Sequence, residues 1–130
     1  MNQAGVYGTL QVAAASNFPG GRSAMSIVYD ATTKFLYLFG GLTPSGALND
    51  VWRFNTLSKV WAWLSGSNQI SQLGSYESSN FSMTQYPGSR SSYAISMDSS
   101  AQVFYVFGGF GWDTAVTGTL CQKYSCYPFE

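Results

Sequence analysis

The sequence predicts an all-β protein assembled from repeated four-stranded antiparallel units. Residues 19–41 and 87–109 are two copies of one motif set 68 positions apart, and 10 of the 23 aligned positions are identical without a gap. The composition is strand-like: aromatics make up 17% of the chain and charged residues only 9%, far below the usual quarter. No window carries sustained apolar spacing at the helical period. A repeat of several tens of residues marks an array of supersecondary units, none of which buries its own apolar face alone.

The elements follow in order. Residues 23–29 and 35–39 read as two strands, with β-branched and aromatic side chains throughout. Asp30, Thr32, Thr33 and Lys34 mark the turn between them. The segment Phe35-Leu36-Tyr37-Leu38-Phe39 is apolar on both faces, so it belongs inside a covered sheet. Gly40 and Gly41 are expected to stop it. Residues 42–46 read as a turn-rich loop, 48–54 as a third strand, 55–58 as a tight turn and 60–64 as a fourth strand. Residues 65–86 form a long polar connection. Asn68 and Gln69 precede Pro87 much as Asn2 and Gln3 precede Pro19, so residues 1–18 read as the same connection leading into the first copy. The second copy supplies strands at 91–97 and 102–107, then Gly108 and Gly109. Beyond these it diverges, with Cys121 to Tyr124 standing where Asn49 to Trp52 stood. The organisation expected is a connecting loop (1–18), a complete unit (19–66), a second connection (67–86) and a partial unit with a divergent tail (87–130).

Composition excludes several function classes. Six basic residues balance six acidic ones, which argues against nucleic acid and against a charged membrane surface as partners. The longest apolar run is a strand, not a membrane span, and residues 1–9 have neither the basic region nor the apolar stretch of a signal peptide. The compartment stays open, with the cytoplasm favoured over export. One sequon, Asn80-Phe81-Ser82, would matter only in an exported chain. Cys121 and Cys126 read as free thiols ahead of a disulfide. The chain has no His, which removes Ser/His and Cys/His catalysis and most zinc and copper schemes. No cofactor and no catalytic residue is expected.

The pattern Pro-x-x-Arg, a hairpin ending in Gly-Gly, Asn49-Asp50-x-Trp52-x-Phe54 and then Trp61 after a short turn resembles the kelch repeat. Residues 19–66 resemble a full repeat and 87–109 the first half of another. The resemblance implies a kelch-type β-propeller segment: one complete four-stranded blade plus a partial second blade, with the ring not closed. It also implies a non-catalytic protein-interaction scaffold whose partner is another protein, further blades or a second copy of itself. The alternatives implied are a segment of a secreted glycan-binding or galactose-oxidase-like propeller, or a truncated product without function. Propellers close with about four to eight blades, and an open face forfeits about 8 kcal/mol of apolar burial, comparable to a domain's whole stability. The chain is therefore expected not to persist as a free monomer.

Among individual residues, Asp30 and Asp98 occupy the same turn in the two copies and read as turn caps rather than a carboxylate pair. Asp50 reads as holding a strand edge. Arg22 and Arg90 recur in register and read as structural arginines that bond carbonyls or a carboxylate between units. Gly40, Gly41, Gly108, Gly109, Trp52 and Trp61 complete the structural motif. Trp52, Trp61 and Trp63 read as core rather than as a sugar-stacking platform. Gly108 to Gly111 read as a turn, not a phosphate loop. The connections at 42–47, 110–118 and 65–86 look long and project from one end of the meander, where binding usually resides. On that end Trp112, Tyr76, Phe110 and Phe81 are the candidate contacts to a partner.

Overall fold

The computed structural model describes residues 3–75, 86–101, 103–112 and 125–128, the last of these by backbone alone. Four strands, β1 (Ser26–Asp30), β2 (Phe35–Thr43), β3 (Gly46–Asn55) and β4 (Val60–Ser65), form one antiparallel sheet in sequential order. The second copy gives β5 (Arg90–Ser91), β6 (Ala94–Asp98), β7 (Val103–Phe107), β8 (Phe110–Gly111) and β9 (Ser125–Pro128), with β5 paired to β8 and β7 central between β6 and β9. No helix is present among the described residues, and the sheets do not close into a ring.

The turns follow from local side-chain chemistry. Asp30 accepts the Thr32 N–H and the Thr33 hydroxyl, and Asn55 accepts the Leu57 and Ser58 N–H groups. Asp98 repeats the arrangement with Ser100 and Ala101. Each is an Asx turn, in which the side chain stands in for a backbone acceptor. The Asp98 carboxyl is held below its usual range, first by the Ser100 hydroxyl and then by the two backbone N–H groups.

Several boundaries differ from those expected. β1 starts at Ser26, because Ala24 turns into the left-handed region and Ser23 makes only an isolated bridge to Leu42. Gly40 and Gly41 do not end β2: the strand passes through them by a register shift and continues to Thr43. Residues 42–46 are therefore not a loop. Leu42 pairs with Ala47 and Thr43 with Gly46, around a two-residue turn at Pro44 and Ser45. The Thr43 hydroxyl ties the turn, donating to Gly46 O and accepting from Ser45 N–H and Gly46 N–H. In the second copy Arg90 and Ser91 form their own short strand, and β6 starts at Ala94. The divergent tail supplies a third strand after all. Val106 pairs with Ser125 as Leu38 pairs with Trp52, so Ser125, not Tyr124, holds the Trp52 position.

The hydrophobic core lies between the two units rather than within either. Tyr37, Phe39, Val51, Ala62 and Leu64 of the first unit pack on Tyr93, Phe104 and Val106 of the second. The Tyr37 and Phe104 rings meet edge-on at 4.9 Å, and Phe39 and Tyr93 at 5.3 Å. β1 lies beside β6, and β5 lies against β2 and β3. The opposite face of the first sheet is covered in part by residues 3–18, whose Tyr7 packs on Trp52 at 4.9 Å and Trp63 at 5.1 Å. This segment also runs along the free edge of β4, with the Gln11 N–H bonded to Trp63 O and the Ala14 N–H to Trp61 O.

The two connections do match, but three positions away from the expected echo. Gly21 N–H donates to Gln3 O as Ser89 N–H donates to Gln72 O, and the bridge Val6–Phe18 recurs as Ser75–Tyr86. Gln72, not Gln69, therefore stands in the place of Gln3.

Gly40 marks where the second unit seats. Its φ of 49° is left-handed, and a methyl group there would lie 2.7 Å from Leu48 O and 2.9 Å from Arg90 O. Its repeat partner Gly108 has φ of 72°, and a methyl there meets nothing within 4 Å among the described residues. Gly108→Ala is therefore expected to carry only the dihedral cost, about 1–2 kcal/mol, and Gly40→Ala that cost plus displacement of β5. Urea unfolding of the two variants compares them directly. Equal losses would mean that β5 does not press on Gly40.

Candidate functional site

The densest cluster of polar chemistry is built around Asp50, which is 0% exposed in β3. Its Oδ1 accepts Arg22 Nη1–H at 2.6 Å. Its Oδ2 accepts Arg22 Nη2–H at 2.9 Å, the Tyr7 hydroxyl at 2.6 Å and Trp52 Nε1–H at 2.7 Å. The alternation of β3 explains how Trp52, two residues on, reaches back to the same carboxylate. Arg22 spends its remaining donors on backbone, with Nε–H to Gly20 O and Nη1–H shared with Gly40 O. One carboxylate thus joins the connecting segment, the strand entry and the third strand.

The electrostatics are those of a closed structural site. Burial pushes the Arg22 guanidinium down, but the hydrogen bonds and charge of Asp50 more than offset this and hold it above its ordinary value. The Tyr7 hydroxyl is raised by burial first and then by the Asp50 charge. Four donors converge on Asp50, three of them on Oδ2, and Arg22 supplies its counter-charge, so the carboxylate is engaged inside the fold. Asp50 is therefore a buried hub and not a strand-edge residue. The carboxylate that holds Arg22 belongs to the same unit and not to the neighbouring one. Among the described residues no three His, Cys, Asp or Glu side chains converge.

Arg90 repeats the backbone half of this arrangement. It is fully buried, with Nε–H to Gly88 O and Nη1–H to Gly108 O. Two other side chains bind the units together. The Asn49 amide donates to Pro87 O and accepts the Ser67 N–H. The Tyr93 hydroxyl donates to Phe39 O and accepts the Ser26 N–H, and Tyr93 O accepts the Ser26 hydroxyl. Burial pushes the Tyr93 hydroxyl up to about 12.

The remaining motif residues serve the fold. Gly41 lies in β2 with its Cα against Met25, and Gly109 faces Ser91 O. Phe110 and Gly111 are paired strand rather than turn. Trp52 is wholly buried, whereas Trp61 and Trp63 are only half-buried on the face toward residues 3–18. Trp61 packs on Phe54 at 4.9 Å.

The surface candidates gather at one end. That end carries the 44–45 turn, residues 66–75, the entry to β5 and the exit of β8. Ser71 N–H bonds Ala47 O, the Ile70 side chain lies against Gly46, and Trp112 N–H bonds Ser89 O. Trp112 is half-buried, while Phe110, Leu73, Leu42 and Ile70 are exposed apolar side chains. Tyr76, Phe81, Asn80 and Cys121 lie outside the described residues. The expected contrast in turn length is corrected for the first unit: the β2–β3 turn has two residues, and the turns at 31–34 and 56–59 have four each. What enlarges this end is the pair of connections between units.

Sequence reasoning missed Tyr7 and Tyr93. Tyr7 had a signal. Gln3-x-Gly5-x-Tyr7 recurs as Gln72-x-Gly74-x-Tyr76, which places Tyr76 at the sequence position of Tyr7. Tyr93 had none, since the first copy carries Met25 there.

The Kelch motif matches residues 36–68, which span β2, β3 and β4 and include Asp50, Trp52 and Trp61. No curated protein matches the chain.

Asp50→Asn leaves the Arg22 charge buried without its counter-ion and is expected to cost about 3–5 kcal/mol. Urea midpoints measure it, and a loss within error of zero would show that the hub contributes nothing. The raised Tyr93 predicts a second effect. The native state keeps a proton that the unfolded chain releases, so stability is level below the ordinary tyrosine value of 10.0 and falls as pH rises toward about 12. The loss from Tyr93 is about 2–3 kcal/mol. Tyr93→Phe should make the fall shallower, the raised Tyr7 and Tyr37 still contributing, and equal pH profiles for the two proteins would contradict the assignment.

Proposed function

We propose that this kelch-repeat chain is a non-catalytic protein-interaction scaffold that meets its partner with the end carrying the connections between units. The observation that carries this reading is the division of labour between the two kinds of site. The charged and polar groups capable of chemistry, Asp50, Arg22 and Tyr7, are spent on one another inside the first unit. The loop end exposes the apolar side chains Phe110, Leu73 and Leu42 beside the uncharged polar Ser45, Asn68 and Gln69.

Binding side chains displayed on connections between rigid strands suit recognition of a protein surface, because the scaffold keeps the entropic cost of ordering them low. Aromatic anchors typically carry a large share of such binding energy. Phe110 in β8 and Trp112 just after it are the anchors proposed here, with Tyr76 and Phe81 from the 65–86 connection.

The test compares the two ends of the molecule. The double variant Phe110→Ser, Leu73→Ser alters the loop end. Leu57→Ser alters the opposite end, where Leu57 sits exposed in the third turn. Wild-type chain immobilised in an extract of its source cells is expected to enrich a protein that the double variant loses and Leu57→Ser keeps. A captured protein retained equally by both variants, or lost only with Leu57→Ser, would overturn the proposal.

A further inference from the structure

The connecting segment carries a loop that is fixed at its base and lightly held at its tip. Val6 and Phe18 bond each other's backbone in both directions, so residues 7–17 leave and return at one point, as an Ω-loop does. At the base, Tyr7 donates to the Asp50 carboxylate and packs on Trp52 and Trp63. The tip is bonded within itself. Val12 N–H donates to Thr9 O, Asn17 N–H to Ala14 O and Asn17 Nδ2–H to Val12 O.

This tip lies along the free edge of β4. Gln11 N–H donates to Trp63 O at 2.7 Å and Ala14 N–H to Trp61 O at 3.2 Å, the latter within an antiparallel bridge. Little apolar burial supports these two bonds. From Gly8 to Ser16 every residue except Ala14 is exposed, Leu10 and Val12 included. Two features oppose the closed position. Gln11 is held at φ of 63°, in the left-handed region that is unfavourable to any residue with a Cβ. Asn17 Oδ1 is buried without a donor among the described residues. It lies against Gly8, where a methyl would stand 2.4 Å away. Opening relaxes the first and hydrates the second.

We infer that residues 8–16 are a strap that opens as a local unit while the sheet stays folded, and that this opening gates the free edge of β4. Closed, the strap occupies Trp61 O and Trp63 O and shields the edge. Open, it frees both carbonyls, the groups to which an added strand donates. Gly8 is the hinge, since it is exposed, left-handed at φ of 64° and next to the anchored Tyr7. The strap uses neither Phe110 nor Leu73, so it stands or falls apart from the partner binding proposed above.

Hydrogen exchange on the folded 130-residue chain, followed residue by residue by NMR, tests it. The Gln11 and Ala14 amides make the two bonds to β4 and report their opening directly. They are expected to exchange about a hundredfold faster than the amide of Leu38, which is buried in the central strand β2. Their rates should stay level in low urea, because a local opening exposes little surface, while that of Leu38 rises. Gln11→Pro cannot adopt the left-handed angle and lacks the N–H, so Ala14 should lose its protection while Leu38 stays within about threefold of wild type. Gly8→Ala drives a methyl onto Asn17 Oδ1 and should speed Ala14 about tenfold. Far-UV circular dichroism checks that both variants keep their sheet. Gln11 and Ala14 exchanging at the rate of Leu38, with the same urea dependence, would mean that the strap leaves only when the sheet unfolds and would overturn the proposal. A Leu38 rate that rises in Gln11→Pro as much as that of Ala14 overturns it too, as does an Ala14 rate unmoved by Gly8→Ala.

Discussion

A four-stranded sheet has two faces and no interior, and that constraint governs this molecule. The first unit buries Tyr37, Phe39, Val51 and Leu64 only because the second unit lies on them. Local pairing makes the strands, but it does not make a core. The core comes from stacking one sheet on the next, as in repeat architectures whose stability resides in nearest-neighbour interfaces. The stacking is also specific in direction. Tyr93 places a polar group at the seam and bonds both Phe39 O and the Ser26 N–H, so sliding one sheet over the other would leave buried backbone groups unsatisfied.

Within a unit, the corresponding device is the Arg22–Asp50 pair. A buried ion pair returns little net stability relative to a well-packed apolar substitute, because both charges lose their water. What it supplies here is position. Arg22 reaches Asp50, Gly20 O and Gly40 O at once, and Tyr7 adds the connecting segment to the same carboxylate. Three stretches of chain distant in sequence are held at fixed separations by one planar, multidentate side chain, a geometry suited to Arg and not to Lys.

This arrangement sorts the chain's chemistry by depth. Asp50 and Arg22 are taken up by internal partners, and the loop end exposes apolar Leu73 and Ile70 beside polar Asn68 and Gln69, on a connection tied down by backbone bonds such as Ser71 N–H to Ala47 O and Ser89 N–H to Gln72 O. The same physics leaves Tyr105 and Ile27 half-exposed at the two ends of the stack, since a sheet added in series always exposes a new face.

Much of the fold was legible in the sequence because it follows from local rules. The duplicated motif, the strands at 35–39 and 60–64 and the Asx turns at Asp30 and Asp98 need only period, propensity and short-range hydrogen bonding. The passage of β2 through Gly40 and Gly41 was not legible, because paired glycines end a strand in one context and bulge it in another, and only the neighbouring β3 decides. Nor was the hub. Nothing in Asp50 as a letter says that Arg22 and Tyr7 converge on it, since that requires the sheet to fold first. Tyr37 and Tyr105 make the distinction most plainly: they are the same residue at the same place in the repeat. Sequence alone determined that both belong to an apolar sheet face. Tertiary structure decided that one is buried and the other half-open, because burial depends on whether another sheet lies against the strand and not on the strand itself.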